Sequence, residues 1–155
     1  YKNLRYLLSE LSKTFNKKII ISINPKYNLN NTIQRFKGKY PVVKYKTKEL
    51  IQKSFLILCF GTSACVTAAV LKKKIIAIRS NIFKEKKYNS DLYSVPLKLK
   101  TINIDKKIKI NGKLLIRDLN LRIKNYDNYL KKYAASDLKV SGNKEIIKII
   151  KSRYF

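Results

Sequence analysis

The stretch Ser54–Ser80, SFLILCFGTSACVTAAVLKKKIIAIRS, leaves few ways for this chain to fold. The apolar run Phe55–Phe60 is too short to span a bilayer and suits a buried strand. Gly61 breaks it. Ala64–Leu71 is rich in small residues and reads as a buried helix, opened by Thr62 and Ser63. Lys72-Lys73-Lys74 ends that helix, and Ile75–Ile78 reads as the next strand. Strand, turn, helix and strand in this order is the pattern of a parallel α/β sheet. The turn Gly61-Thr62-Ser63-Ala64 then falls at the carboxyl end of a strand and the start of a helix, where such sheets bind ligands.

The flanks extend the pattern. Leu4, Leu7, Leu8, Leu11 and Phe15 share one face of a helix. Ile19–Ile23 is a nearly continuous β-branched run, expected to be a strand covered on both faces, and Asn24-Pro25 stops it. Asn31–Phe36 reads as a short helix and Val42–Tyr45 as a short strand. Thr47 reads as the N-cap of a helix over Lys48–Lys53. Residues 80–89 read as a Lys-rich loop, Ser90–Leu99 as a short helical piece limited by Pro96, and Thr101–Asp105 as a strand nearer the sheet edge. Asn111-Gly112 reads as a turn. Lys113–Ala135 reads as one long helix or two, bent near Asn125, and Asn143 as the cap of a last helix. The expected fold is α/β: one Rossmann-like, three-layer domain over residues 1–155. Strands at Ile19, Val42, Phe55, Ile75 and Thr101 would form one parallel sheet, with C-terminal helices over 110–155.

Composition narrows the chemistry. Cys59 and Cys65 are the chain's two cysteines and there is no histidine, so a zinc site is not expected, nor is any other metal or cofactor. The cysteines read as small buried thiols. The net charge is +27, from 36 basic and 9 acidic residues. It favours anionic partners such as nucleic acid, anionic lipid or nucleotide phosphates. Part of it reads as the mark of an AT-rich gene, because Lys, Ile, Asn and Tyr dominate while Trp, His and Met are absent. The chain begins at Tyr1 inside what reads as a helix, so it is expected to be a piece of a longer protein. Tyr1–Phe15 mixes charge with apolar residues and does not read as a signal peptide.

Several groups share the expected carboxyl-end rim. The backbone N–H groups and hydroxyls of Gly61, Thr62, Ser63 and Ala64 can hold a phosphate, or Thr62 or Ser63 can simply cap the helix. The spacing is neither a P-loop nor GxGxxG. Asn24 can donate to a phosphate or sugar and Lys26 can neutralise charge; an ordinary Asn-Pro turn is the other reading. Lys44 and Tyr45 can face a base or ribose, and Arg79 and Ser80 lie on the same rim. With no histidine and no obvious carboxylate pair, these groups suit binding a nucleotide or sugar phosphate better than proton transfer.

Two segments carry a resemblance: IIISINPKYN, then VVKYKTKELIQKSFLILCFGTSACVTAAVLKKKIIAI. Together they resemble the C-terminal, nucleotide-sugar-binding half of GT-B glycosyltransferases of bacterial surface-polysaccharide synthesis. The sialyltransferase-like and capsule-type enzymes are the nearest in pattern, and the CDP-glycerol glycerophosphotransferases are similar in the same stretch. The resemblance covers roughly Ile19 to Ser80, with a weaker echo in Thr101–Asp105 and Tyr126–Tyr133. It implies a CMP-, CDP- or UDP-linked sugar as donor and a glycan or lipid-linked acceptor. It also implies a missing N-terminal half and a place in the cytoplasm, in contact with the anionic inner leaflet. Thr62 and Ser63 would contact the donor phosphate. Asn24 stands where the family has the His of a His-Pro pair, as the catalytic position. Asn donates a hydrogen bond but exchanges no proton at neutral pH, and the family's helix-ending Lys-Pro is here Lys73-Lys74. The chain alone is therefore expected to be inactive. Two other readings stand beside this one. A degenerate, non-catalytic interaction domain is suggested by Asn24. A nucleic-acid-binding module is suggested by the charge and eleven tyrosines, although no helix-turn-helix, RRM or zinc pattern is present.

Overall fold

A computed structural model describes residues 1–81 and 91–133. The elements run α1 (Lys2–Phe15), β1 (Ile21–Ser22), α2 (Leu29–Arg35), β2 (Val42–Val43), α3 (Thr47–Lys53), β3 (Leu56–Cys59), α4 (Ala64–Val70) and β4 (Lys74–Arg79). Then follow α5 (Asp91–Ser94), β5 (Lys100–Asn103), α6 (Gly112–Ile123) and α7 (Tyr126–Tyr133). The expected loop over 82–89 and the expected last helix from Asn143 lie outside the described residues.

Every strand pair is parallel, and the fold is a Rossmann-like α/β layering. The five strands do not make one sheet. β1 pairs with β2 alone, and β3, β4 and β5 form a three-stranded sheet in that order. The cause lies in the first ladder. Only Ile21 and Ser22 of the Ile19–Ile23 run pair with β2, Ser22 is exposed, and Ile20 is 49% exposed. The run is not covered on both faces, so it has little burial to extend its pairing.

β4 is the buried centre. Its residues alternate between two cores, as strand side chains must. Ile76 and Ile78 meet Leu4, Leu7, Leu8 and Leu11 of α1 and Leu115 and Leu119 of α6. Ile75 and Ala77 face Ile51 of α3, Cys65, Ala68 and Ala69 of α4, and Tyr126 of α7. This is the three-layer arrangement. Each isoleucine so buried contributes about 2–3 kcal/mol.

Local chemistry sets the element ends. α1 closes on Asn16 in the left-handed conformation (φ 48°), with the Lys17 N–H donating to the Ser12 carbonyl at 3.1 Å. α4 closes the same way on Lys72 (φ 50°), and the Lys73 N–H donates to the Ala68 carbonyl at 2.9 Å. The lysines that end α4 also fasten neighbours. Lys72 pairs with Asp127 of α7, and Lys73 Nζ donates to the Gln52 carbonyl at 2.6 Å.

Two expected caps differ. Thr47 is the first residue inside α3 and caps nothing; its hydroxyl instead bonds the Ser22 hydroxyl at 2.7 Å, tying α3 to β1. Asn111-Gly112 is not a free turn, because Asn111 Oδ1 accepts the Leu114 N–H at 3.1 Å and caps α6. The chain breaks between α6 and α7 at Lys124 and Asn125, so the long C-terminal pattern is two helices. Asp118 anchors α6 to the sheet, pairing with Lys100 of β5 at 3.0 Å and Arg122 at 2.8 Å. Partial burial pushes its carboxyl up, but the hydrogen bonds from Lys100 and Arg122 outweigh this and hold it below the usual range.

Candidate functional site

The sequence-derived site residues fall in two groups along the carboxyl ends of the strands. The first surrounds the end of β1 and β2. Asn24 Oδ1 accepts the Lys26 N–H at 3.0 Å, which closes an Asx turn and leaves the Asn24 amide NH₂ as the outward donor. Lys44 Nζ donates to the Pro25 carbonyl at 3.1 Å and so joins the two strand ends. Tyr45, next to Lys44, adopts a left-handed backbone (φ 61°) and is 80% exposed. Asn24, Lys26 and Tyr45 are all exposed.

The second group is the end of β3, β4 and β5. Gly61 has φ 73°, a conformation that costs any residue with a Cβ. It lets the chain turn from β3 into α4 within a few residues. Ser63 is the N-cap position of α4, and one residue before it Thr62 Oγ1 accepts the Ala64 N–H at 3.1 Å while its carbonyl accepts the Cys65 N–H at 3.0 Å. The Val66 N–H donates to the Ser63 carbonyl at 2.9 Å. Neither hydroxyl caps α4 from the N-cap position, yet these turn bonds occupy the Ala64, Cys65 and Val66 N–H groups at the helix start. Ser63 is exposed and its side chain makes no capping bond. Its hydroxyl is thus the group of the turn best placed to meet a ligand.

Register carries the rim onward. Cys59 pairs with Ala77, and Arg79 with Asn103, so Gly61, Arg79-Ser80 and Asn103–Asp105 follow one another across neighbouring strand ends. Ser80 is buried, and its Oγ donates to Asp105 Oδ1 at 3.0 Å. The Asn81 N–H donates to Asp105 Oδ2 at 2.6 Å. The Ser80 hydroxyl is thus spent on holding β4 to β5. Asp105 is the acid that sequence reasoning missed as a rim group. Only the pairing of β4 with β5 brings it beside Ser80, and its one local signal is its place at the end of an apolar run.

Beneath the turn lies a buried thiol pair. Cys59 and Cys65 are free thiols in one core cluster, 4% and 0% exposed, as small buried thiols. Their mutual hydrogen bond, then burial, pushes the Cys59 thiol up. The Gly61 N–H acts on Cys59 in the opposite sense. Tyr126 packs against the same pair with its ring fully buried, and burial pushes its hydroxyl up to about 12. Among the described residues, no group of three or more His, Cys, Asp or Glu side chains is placed to hold a metal ion. Nor is any described helix long and apolar enough to cross a membrane.

Fold and rim together define the class: a parallel, Rossmann-like α/β domain whose polar loops gather at the carboxyl ends of its strands. Beyond that class, comparison with family models, curated proteins and solved structures gave no match to this chain.

Proposed function

We propose that this domain binds a nucleotide-activated sugar, CMP-, CDP- or UDP-linked, for glycosyl transfer in surface-polysaccharide synthesis. One observation carries the reading: an exposed Ser63 hydroxyl beside a left-handed Gly61 at the carboxyl end of β3, with Arg79 on the adjacent strand end. Open parallel α/β sheets take phosphate-bearing ligands at this position. Ser63 would donate to a donor phosphate oxygen, and Arg79 and Lys26 would offset its charge. The outward amide of Asn24 would add a hydrogen bond, and the exposed ring of Tyr45 would offer a stacking face to the base. Asn24 cannot supply a proton, so the chain's part is binding, with the acceptor and the rest of the chemistry provided by another half. Work on a lipid-linked or glycan acceptor at the cytoplasmic leaflet belongs to the same proposal.

Calorimetric titration with CMP-, CDP- and UDP-sugars tests it. At least one donor is expected to bind saturably. Ser63→Ala should weaken that binding about fivefold to tenfold, the worth of one hydrogen bond. The Ser63 side chain makes no capping bond, so the variant should fold as the parent does. No saturable binding to any of the three, or full affinity in Ser63→Ala, would overturn the assignment.

A further inference from the structure

Away from the rim, the end of α1 and the start of α6 enclose a broad open groove of about 1060 Å³. Gly112 makes the close approach possible, since a Cβ there would meet Thr14 Cγ2 at 2.6 Å. The Phe15 ring packs at 5.6 Å, tilted by 56°, against that of Phe55, which immediately precedes β3, so the groove sits at the amino-end side of that strand, opposite the Gly61 turn. Its walls are largely carbon, from Phe15, Ile116 and Leu121. Its cations form one stripe along α6, Lys113 and Arg117 within the helix and Lys124 at its C-cap, at spacings of four and seven residues, all exposed. On the flank of that stripe, Leu114 and Leu121 are 61% and 55% exposed, seven residues apart on one face. An amphipathic helix normally buries its leucines; here the opposite face, through Leu115 and Leu119, already fills the core.

From this juxtaposition we propose that the exposed face of α6 beside the α1–α6 groove is a docking surface for an anionic phospholipid bilayer, with Leu114 and Leu121 entering the interface and Lys113, Arg117 and Lys124 at the headgroups. Charge complementarity selects an anionic partner. The leucines select a bilayer among anions, because a hydrated polyanion such as duplex DNA would satisfy the cations and leave both leucines in water. The surface is distinct from the rim; it deepens the leaflet placement in the proposed function, and vesicle binding is read separately from donor binding, so either can fail alone.

The test is co-sedimentation of the chain with vesicles of phosphatidylglycerol mixed with phosphatidylcholine, against vesicles of phosphatidylcholine alone. Binding is expected to the first and not to the second. Changing Lys113, Arg117 and Lys124 together to Gln should weaken it on the order of a hundredfold, from about fivefold per cation. The same change at Lys37, Lys48 and Lys131, exposed and on neither α1 nor α6, should cost far less. Leu114→Ser with Leu121→Ser should cost on the order of tenfold or more. The chain has no tryptophan, so Leu121→Trp gives a single reporter whose emission should shift to the blue on the anionic vesicles. Equal losses from the two lysine sets, an unshifted Trp at position 121, or binding to duplex DNA or an acidic peptide with none to vesicles would each overturn the proposal.

Discussion

In the β1–β2 ladder each strand contributes two paired residues, and none of the four is buried. In the β3–β4–β5 sheet, β4 carries four consecutive buried residues, from Ile75 to Ile78, with helices on both faces. Both ladders are parallel, and both present polar loops at their carboxyl ends. They differ in what holds those loops. The Asn24 loop is closed by one surface hydrogen bond and joined to Lys44 by another, each worth about 1 kcal/mol. The Gly61 turn sits on a packed core, so its backbone is fixed by burial that the first ladder lacks. The contrast suggests a division of labour in the proposed site: a rigid phosphate end on β3 and a more adaptable base end on β1 and β2.

The contrast can be broken most directly in the cores. Ile76→Ala, at a fully buried position, should cost about 3–4 kcal/mol in urea unfolding, whereas Ile21→Ala, half-buried, should cost about 1. Equal costs would mean that the first ladder is as integral as the second. The next largest effect is alkaline and belongs to the three-stranded side alone. The Tyr126 hydroxyl holds its proton to about 12, against an ordinary 10.0. An unfolded tyrosine ionises first, so the stability it contributes is full below pH 10 and is lost as pH rises through about 12. The loss should be roughly 2–3 kcal/mol. Unfolding of Tyr126→Phe should lack that part of the alkaline loss.

Smaller changes sharpen the picture at the turn itself. Gly61→Ala places a Cβ at φ 73° and should cost about 1–2 kcal/mol, read in the same unfolding experiment. Asp105→Asn keeps one acceptor and turns an NH₂ toward either the Ser80 hydroxyl or the Asn81 N–H. It should cost about 1 kcal/mol and loosen the β4–β5 end, seen as faster amide exchange at Asn81.

Much of the frame was legible because it rests on local rules. The leucine spacing of α1, the apolar β3 run, the small-residue helix α4 and the isoleucines of β4 each declare their period within a few residues. The shortfall lies where burial decides. Ile19–Ile23 has the composition of a central strand, yet only two of its residues pair with β2, because Ile20 and Ser22 stay exposed and give the ladder little burial to extend it. Thr47 has the chemistry of a cap, but Ser22 offers its hydroxyl a partner from across the chain. Within the candidate site, the left-handed Gly61 and the Thr62 turn bond follow from residue type, whereas the capture of Ser80 by Asp105 does not.

The sequence by itself determined the order of strands and helices, the glycine at the β3–α4 turn and the surplus of positive charge, since these depend on residue type and near-neighbour spacing. Tertiary structure decided that five parallel strands divide into two ladders, because pairing extends only as far as helices bury it. It also decided which rim hydroxyls are spent inside the fold and which face outward, because the partners of Ser80 and Thr47 lie twenty-five residues away and meet them only when the sheets and helices pack.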